Sequence, residues 1–408
     1  MIIAQKKNAN SFIDENKSKG EDKFVVALGS NGVWFYKIIK QIKTGWIDQG
    51  FRVTDILIRE DQAVNVSLVK AHIPFKDEQG NSVMVSGEQI TSLVKKFTDL
   101  KDEKMESVSV DFSIYVMGLG VYRINYSSDA SGKGLSVRYL TSEIPTFEGV
   151  GYPSFYKNEI EKLISQVEIA TPEGKLKRGV VRGGGLILHC GPTGSGKTTA
   201  LAAEVGLFAE ETTGTIITYE NPIEYGHIAT AAPVRQFELG RDITGETEDE
   251  LRENINNHLL RNNPSVVMFG EARGKKDIRM MIDVGVKGHL ALGTMHASNV
   301  KEALVTLASV TKGEEYLLAA SIKAIVAHKL HINNKGVIVP LFEILIPSEQ
   351  DRVHLANGDI SKVVASLEST ENGRHLTAIS FENHIKELVK NGTITPQEAG
   401  GFNIGRKK

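Results

Sequence analysis

The sequence predicts an α/β protein made of two domains, and three features of the chain lead to this prediction. Beyond residue 153, apolar strands alternate with helices, which is the pattern of a parallel sheet with crossover helices. Residues 31–140 carry strands and one helix in a mixed order, so we expect a smaller α+β domain there. Between the two, residues 141–153 contain prolines and glycines and are typical of a linker.

The first domain is predicted from short apolar strands and one amphipathic helix. Strands are predicted at residues 54–60, 64–72, 107–117, 120–126 and 135–140, with turns at residues 118–120 and 127–134. A helix is predicted over residues 88–100 by apolar residues at helical spacing, namely Ile90, Leu93, Val94 and Phe97. Residues 1–30 are polar, which predicts a mobile segment at the start of the chain.

The second domain, residues 154–408, is predicted from four apolar strands at residues 186–190, 215–219, 265–269 and 289–294. An amphipathic helix is predicted before the first of them from the spacing of Ile160, Leu163, Ile164 and Val167. A hairpin turn is predicted at residues 333–336, and the tail reads as a helix, a glycine-containing turn and the start of another helix.

Composition excludes several classes of protein. Forty-eight Lys and Arg residues balance fifty Asp and Glu residues in a chain of 408, and this near-neutral charge argues against a protein that mainly holds nucleic acid. No apolar run approaches the roughly 18 residues of a membrane-spanning helix, and the polar start is not a secretory signal. The single cysteine, Cys190, excludes an intramolecular disulfide and a cysteine-cluster zinc site.

The strongest motif is GPTGSGKT at residues 191–198, which matches the phosphate-binding P-loop and stands between a strand and a helix. Its glycines let backbone N–H groups turn around phosphate oxygens at a helix N-terminus. Lys197 is expected to reach the β- and γ-phosphates, and Thr198 to bind Mg²⁺. The sequence therefore predicts binding of ATP and Mg²⁺ by Gly191, Pro192, Thr193, Gly194, Ser195, Gly196, Lys197, Thr198 and Thr199.

Three later segments place polar side chains at the ends of predicted strands, where open parallel sheets bind ligands. TYENPIEY carries Glu220 and Glu224, and a carboxylate there can orient the water that attacks the γ-phosphate. SVVMFGEARG places Glu271 beside the P-loop as a Mg²⁺ ligand, and GHLALGTMHAS places His296 after another strand. Each residue taken alone also fits a solvated carboxylate or a structural histidine, and it is their order that favours a catalytic site.

That order resembles the secretion ATPases of type II and type IV secretion systems and type IV pili, in which the four segments are called Walker A, Asp box, Walker B and His box. The resemblance runs from about residue 54 to residue 399. It includes TDILIRE in the first domain, DFSIYVMGLGVYRINY before the linker and SIKAIVAHKLHINNKGVIVPLFEILI after the His box.

The resemblance implies a RecA-like ATPase domain and a smaller PAS-like N-terminal domain, with the nucleotide in the cleft between them. It also implies a homo-hexameric ring on the cytoplasmic face of the inner membrane, in which hydrolysis changes the angle between the domains. Expected partners are inner-membrane components of the secretion system and a second secretion ATPase. Zinc is not expected, because the four-cysteine insertion of the type II branch is missing, and nucleic acid is not expected either.

The branch within the family is predicted from the Asp box, which reads Glu220-Asn221-Pro222 where most members have Glu-Asp-Pro. With Tyr219 before it, this box resembles the DotB and TraJ ATPases of type IVB secretion and conjugation, and it assigns the catalytic role to Glu220. The C-terminal HIKELVKNGTITPQEA looks like the tail of PilT-type ATPases, so a pilus retraction motor is the alternative. A RecA-like nucleic-acid motor and a small-molecule kinase are less favoured alternatives of other classes.

The family also uses arginines between the Asp and Walker B boxes to contact the nucleotide. Four arginines are present in this segment, namely Arg235, Arg241, Arg252 and Arg261. Arg241 and Arg261 match the family spacing best and are expected to be catalytic, because a guanidinium suits the charge that develops on the γ-phosphate. Arg123 and Arg138 of the first domain are further candidates for reaching a phosphate across the cleft.

Overall fold

The computed structural model describes residues 32–49, 51, 53–68, 71–98, 105, 109–116, 119–140, 144–171, 174–181, 183–227, 232–240, 242–334, 337–368 and 378–402. The mobile segment predicted for residues 1–30 lies outside these residues. The chain divides into two compact units, residues 1–143 (unit 1) and residues 144–408 (unit 2). The division falls among the residues that the sequence predicts as a linker.

Unit 1 contains a six-stranded antiparallel sheet in the order β3-β2-β1-β6-β5-β4. A capping box between Ser86 and Gln89 starts helix α2, which buries Ile90, Leu93 and Val94. A single turn of π-helix, Lys43–Ile47, follows α1. The helices and strands are α1 (Val33–Ile42), β1 (Val53–Arg59), β2 (Asn65–Leu68), β3 (Ala71–Pro74), α2 (Gly87–Phe97), β4 (Ser109–Val116), β5 (Gly120–Asp129) and β6 (Gly132–Leu140).

Two predictions for unit 1 are wrong in detail. The strand predicted at residues 64–72 is an antiparallel pair, β2 and β3, in which Val66 lies opposite Ile73. Residues 69–70 are Val and Lys, so neither glycine nor proline marked the reversal. The turn predicted at residues 127–134 is much shorter, because β5 continues to Asp129 and β6 begins at Gly132. Ladder pairing therefore extends through residues whose composition is typical of a turn.

Unit 2 is an α/β unit built on an eight-stranded sheet in the order β11-β10-β12-β13-β9-β14-β15-β16. A short two-stranded sheet, β7 and β8, accompanies it. The helices and strands are α3 (Ser154–Glu161), β7 (Ile164–Thr171), β8 (Gly174–Val181), β9 (Gly185–Cys190), α4 (Lys197–Glu211), β10 (Ile216–Glu220), β11 (Val234–Glu238), α5 (Glu248–Asn262), β12 (Val266–Phe269), α6 (Lys275–Val286), β13 (Leu290–Met295), α7 (Val300–Val310), α8 (Glu315–Ser321), β14 (Ile322–Ile332), β15 (Ile338–Leu345), α9 (Glu349–Ala356), α10 (Ile360–Glu368), β16 (Ala378–Ile379), α11 (Phe381–Lys390) and α12 (Pro396–Gly400).

The six strands from β11 to β14 run parallel, and β15 and β16 pair antiparallel at one side. Every residue of β9, β10, β12 and β13 is buried, as expected for a sheet covered by helices on both faces. Because these strands are parallel, their carboxyl ends lie at the same edge of the sheet, which we call the P-loop edge. Strand β13 lies between β9 and β12, so the strand before the P-loop is not adjacent to the strand before Glu271.

One helix of unit 2 is predicted wrongly. The amphipathic helix expected to include residues 160–167 ends at Glu161, and Ile164 begins strand β7. Strand β7 pairs with β8 over eight positions, from Ile164↔Val181 to Thr171↔Gly174. Pairing with a second strand thus overrides a helical spacing that rested on only four apolar residues.

The tail contains the expected helix, turn and second helix, at α11 and α12. The predicted turn at residues 333–336 lies between β14 and β15, which pair antiparallel, although residues 335–336 lie outside the described part of the chain. In that described part, no helix combines the length and the apolar character that crossing a membrane requires.

Candidate functional site

The P-loop joins strand β9, which ends at Cys190, to helix α4, which begins at Lys197. Gly191 is required by close packing, because a Cβ atom there would lie 2.5 Å from Ser195 Oγ and 2.7 Å from the carbonyl oxygen of His328. Gly194 and Gly196 have φ angles of 76° and 90°, which other residues rarely adopt. The glycines therefore permit the tight path that the sequence predicts for a phosphate-binding loop.

Lys197 points back into this loop. Its side chain is buried, and Nζ donates hydrogen bonds to the carbonyl oxygens of Gly191 at 2.7 Å and Pro192 at 2.9 Å. Burial lowers the pKa of Lys197, while the charges of Glu271 and Glu224 act in the opposite direction. The ammonium group, the loop and both carboxylates are thus near enough to interact electrostatically.

The other residues of the loop and of the first turn of α4 differ in exposure. Pro192 and Thr193 are exposed, whereas Thr198 is half-buried in the first turn of α4. The Thr199 hydroxyl contacts the Tyr225 hydroxyl at 2.8 Å, which ties the P-loop helix to the segment after Glu220.

Glu220 ends strand β10 at the P-loop edge and is only 4% exposed. Its Oε1 accepts hydrogen bonds from Thr218 Oγ1 at 2.6 Å and from Gln236 Nε2 at 3.1 Å. Burial raises the pKa of Glu220 to about 7, although both hydrogen bonds oppose the shift. Neither the contact of Thr218 nor that of Gln236 with Glu220 was predicted from the sequence. The one signal for the Thr218 contact is the T-x-E spacing, which places Thr218 and Glu220 on the same face of the strand.

Glu271 and His296 form a second pair at the same edge. Glu271 follows β12 and His296 follows β13, and His296 Nε2 lies 2.6 Å from Glu271 Oε1. Both side chains are accessible, with 39% of Glu271 and 54% of His296 exposed. The adjacent strand ends are held together by the Thr294 hydroxyl, which donates to the carbonyl oxygen of Gly270 at 2.6 Å. The structure thus brings together the Walker B and His segments that the sequence could place only by order.

Arg261 lies away from the P-loop edge. It stands near the end of helix α5, five residues before β12 begins, and therefore at the amino-terminal edge of the parallel sheet. Arg235 lies near this edge as well, because its Nη1 donates to Asn262 Oδ1 at 2.5 Å. Neither arginine can contact the P-loop of its own chain from that edge.

The remaining arginines differ in their surroundings. Arg252 is bound in an acidic cluster, with ion pairs to Asp277 at 2.6 Å, Asp249 at 2.8 Å and Glu248 at 2.9 Å. Arg241 lies outside the described residues. Within unit 1, Arg123 and Arg138 are paired across β5 and β6, and Arg138 Nη2 lies 2.9 Å from Asp55 Oδ1.

The residues of the P-loop edge fit a nucleotide and a magnesium ion. Among the described residues, the buried Ser195 Oγ has no hydrogen-bond partner, so it can donate to a ligand oxygen without losing another bond. The loop, the helix N-terminus and Lys197 favour an anion. Thr198 and Glu271 supply the hydroxyl and carboxylate oxygens that Mg²⁺ prefers. These donors match a phosphate chain with its bound metal.

The family is shown by sequence similarity. Residues 129–344 match the family model described as "Type II/IV secretion system protein", and the chain belongs to this family. The prediction of a secretion-ATPase family member is confirmed. The type IV pilus retraction ATPase PilT of Pseudomonas aeruginosa is 28% identical over 76% of this chain and 84% of its own length. The uncharacterised protein YggR of Escherichia coli is 27% identical over 71% and 82%.

Solved structures share the fold. The crystal structure of the pilus retraction motor PilT with bound ADP has a TM-score of 0.72 at 22% identity, covering 91% of this chain and 97% of that one. The ATPase DotB of Legionella pneumophila has a TM-score of 0.68 at 18% identity, covering 90% and 94%. The predicted α/β fold class is therefore confirmed. At these identities the likeness concerns the fold alone, so the type IVB branch stays a prediction.

Proposed function

We propose that this protein is a Mg²⁺-dependent ATPase that hydrolyses ATP to ADP and phosphate at the P-loop edge. The observation that carries this proposal is the convergence of Lys197, Glu271 and His296 with a buried Glu220 at the carboxyl ends of adjacent strands. Membership of the secretion ATPase family supports the same activity.

In the proposed mechanism, the P-loop and Lys197 hold the phosphates while Thr198 and Glu271 hold the metal. When bound, Mg²⁺ neutralises charge on the phosphate oxygens and orients them. His296 contacts Glu271 and thereby fixes the direction of that carboxylate. Glu271 and His296 are in contact without a ligand, so this pair needs little reorganisation.

Glu220 is the proposed general base. Because burial raises its pKa to about 7, a large fraction of the carboxyl groups is ionised at neutral pH and still basic enough to accept a proton from water. Its contacts with Thr218 and Gln236 fix its orientation. Glu224 is the alternative base, since its charge also acts on Lys197 and it is half-buried.

Arg261 is proposed to act on a neighbouring subunit. It lies at the edge of the sheet opposite its own P-loop, so a contact with a nucleotide requires a second copy of the chain. This requirement agrees with a homo-hexameric ring in which each subunit completes the site of the next. Arg241 remains a second candidate for the same role.

The proposed setting is the cytoplasmic face of the inner membrane, where the ring would drive a secretion or pilus machine through domain motion. Type IVB secretion or conjugation is the finer proposal, carried by the Glu220-Asn221-Pro222 sequence. A pilus retraction motor is the second candidate, favoured by 28% identity to a retraction ATPase over 84% of that protein. Deletion of the gene followed by assays of twitching and of conjugative transfer distinguishes the two, because each candidate predicts the loss of only one activity.

Phosphate release from ATP by the purified chain tests the proposed reaction. We expect turnover that requires Mg²⁺ and changes by less than about twofold when duplex or single-stranded DNA is added, since the chain is nearly neutral. A large stimulation by DNA would favour the nucleic-acid motor instead. Magnesium-independent turnover would contradict the assigned role of Thr198 and Glu271.

A further inference from the structure

A group of titratable side chains lies buried behind the P-loop, and the proposed chemistry uses none of them. We call Glu204, His189, His328, Tyr152 and Tyr156 the Glu204 cluster. Glu204 and His189 are 0% exposed and His328 is 2% exposed, while Tyr152 is half-buried. Burial of a carboxyl group and two imidazoles is strongly unfavourable unless their hydrogen bonds are satisfied, so the position of each side chain depends on its partners.

The hydrogen bonds of the Glu204 cluster form one consistent chain. Tyr152 and Tyr156 donate from their hydroxyl groups to Glu204 Oε1, at 3.0 and 2.8 Å. Burial raises the pKa of both tyrosines well above the usual value, so they remain protonated donors. The other carboxyl oxygen, Oε2, lies 3.1 Å from His189 Nε2, and with an acceptor oxygen at this position the ring nitrogen is the donor.

The chain continues from His189 to His328. His189 Nδ1 lies 2.8 Å from His328 Nε2. Burial lowers the pKa of His328 well below its usual value, so its ring is neutral and one nitrogen carries the shared proton. With Nε2 of His189 directed to Glu204, the consistent arrangement has His328 donating from Nε2 to His189 Nδ1. Every contact therefore has one donor and one acceptor.

The Glu204 cluster connects both flanks of the P-loop. His189 is on strand β9, two residues before Gly191, and Glu204 is on helix α4, which begins at Lys197. The two tyrosines come from the segment that begins unit 2, with Tyr156 in helix α3. The hydrogen bonds of Glu204 thus join the strand before the loop, the helix after it and the start of unit 2, where Tyr152 lies at the end of the predicted linker and Tyr156 in α3.

A direct packing contact carries this arrangement to the loop itself. The carbonyl oxygen of His328 packs against Gly191 so closely that a Cβ atom there would approach it to 2.7 Å. The His328 ring packs edge-on against Phe342 at 5.2 Å, and Phe342 packs against Tyr152 at 4.8 Å. A displacement of Tyr152 or Glu204 therefore reaches the first glycine of the P-loop through contiguous contacts.

We propose that Glu204 is a positioning residue, through which Tyr152 and Tyr156 at the start of unit 2 set the conformation of the P-loop and hence its affinity for nucleotide. The inference rests on the proposed nucleotide binding by that loop. Because linkage is reciprocal, a bound nucleotide also stabilises the segment of Tyr152 and Tyr156. The Glu204 cluster would then transmit strain between the linker and the phosphate site in both directions.

The substitutions that test this role differ in the hydrogen-bonding groups that they retain. Glu204→Leu removes the acceptor for all three donors. The double variant Tyr152→Phe with Tyr156→Phe keeps the rings and removes only two hydroxyl groups. Glu204→Gln retains an acceptor oxygen for the tyrosines, and its amide can donate to His189 once both imidazoles exchange tautomers. Thr311→Val is a matched control, since it removes a buried hydroxyl that donates to Leu307 away from the Glu204 cluster.

The first measurement is the dissociation constant of ADP for the full chain by titration calorimetry, which needs no hydrolysis. We expect Glu204→Leu and the double phenylalanine variant to weaken ADP binding by about tenfold, within the usual range of coupling between sites. Glu204→Gln and Thr311→Val should remain within about twofold of the wild type. Should Glu204→Leu fail to fold, the double phenylalanine variant still provides the test.

The second measurement is amide hydrogen exchange of residues 152–161, with and without ADP. ADP should slow exchange there in the wild type and have a smaller effect in the double phenylalanine variant, which a purely structural role would not produce. Unchanged ADP affinity in folded variants, or exchange that does not respond to ADP, would overturn this inference while leaving nucleotide binding intact. A wild-type chain that binds neither ADP nor ATP would instead overturn the proposed function itself.

Discussion

Replacement of Glu220 by Gln separates ATP binding from ATP hydrolysis. Glutamine keeps an oxygen that accepts from Thr218 and Gln236, so the local hydrogen bonds survive. It loses the basic carboxylate, and a positioned general base contributes about 10²- to 10⁴-fold to rate. We therefore expect ATP to bind with near-native affinity and turnover to fall by about 10²-fold or more.

The pH dependence of kcat provides a second quantitative test of Glu220 as the general base. With a pKa of about 7, Glu220 is mostly protonated at pH 6 and mostly ionised at pH 8. If only the ionised form acts as base, kcat of the wild type should rise about tenfold between these two pH values, in proportion to the ionised fraction. The residual turnover of Glu220→Gln should lack this rise, and steady-state phosphate release at saturating ATP measures both.

The same pKa shift predicts a change in stability. The native carboxyl binds a proton more tightly than the unfolded one, so the free energy of unfolding falls as pH rises from about 4.5 to about 7. At pH values above this range, the full pKa shift lowers the free energy of unfolding by about 3 kcal/mol. Glu220→Gln should recover up to that amount at pH 8 and little at pH 4, as urea unfolding can measure.

Glu224→Gln is the matched control for this series. It should retain most of the turnover and the pH dependence of the wild type, because it leaves the buried carboxylate of Glu220 and its contacts with Thr218 and Gln236 in place. An inactive Glu224→Gln variant together with an active Glu220→Gln variant would refute the assignment of Glu220 as the base. A wild-type profile that is flat from pH 6 to pH 8 would also refute it.

Three further predictions concern other parts of the chain. His296→Ala should raise the Mg²⁺ concentration needed for half-maximal turnover by about tenfold, since it removes the nearer of two partners of Glu271 and leaves Arg273 at 3.6 Å. A Mg²⁺ titration that matches the wild type would contradict this. Arg252→Ala should lower the free energy of unfolding by about 1–3 kcal/mol and leave kcat within about twofold of the wild type, because the side chain binds three carboxylates within its own chain. A fall in kcat without loss of stability would contradict this. Mixing Arg261→Ala subunits with Glu271→Gln subunits should restore part of the turnover that each lacks, and specific activity should rise with protein concentration as the ring forms. Turnover by a monomer in sedimentation, without rescue in any mixture, would place all contacts within one chain.

The sequence predicted the structure correctly where a segment had one strong local signal. The buried strands of unit 2 and the P-loop appear within one or two residues of their predicted positions, because an apolar run bounded by glycine permits few other structures. The sequence failed where pairing with a distant segment decides the structure. Ile164 begins a strand rather than continuing a helix because β8 is available to pair with it.

In the candidate site as well, local motifs were predicted correctly and contacts between distant segments were not. Motif order placed Lys197, Glu220, Glu271 and His296 at strand ends, and the parallel sheet then brings those ends to one edge. The match to family spacing singled out Arg261 as a nucleotide contact but did not show that it lies at the edge opposite its own P-loop, which follows from its place just before β12. Nor could it reveal the contact between Glu204 and Tyr152, since 52 residues separate them.

Phosphate release by the Lys197→Ala variant tests most directly the claim that this chain is a P-loop ATPase. Lys197 is the only cation whose Nζ the structure places against the loop carbonyls of Gly191 and Pro192, within the part of the chain that it describes. Lys162→Ala is the control, because Lys162 is 68% exposed and pairs only with Glu159 among the described residues. We expect Lys197→Ala to lose turnover by about 10²-fold or more while its thermal unfolding stays close to that of the wild type, with Lys162→Ala unchanged in both. Undiminished ATP turnover by a folded Lys197→Ala variant would contradict the account.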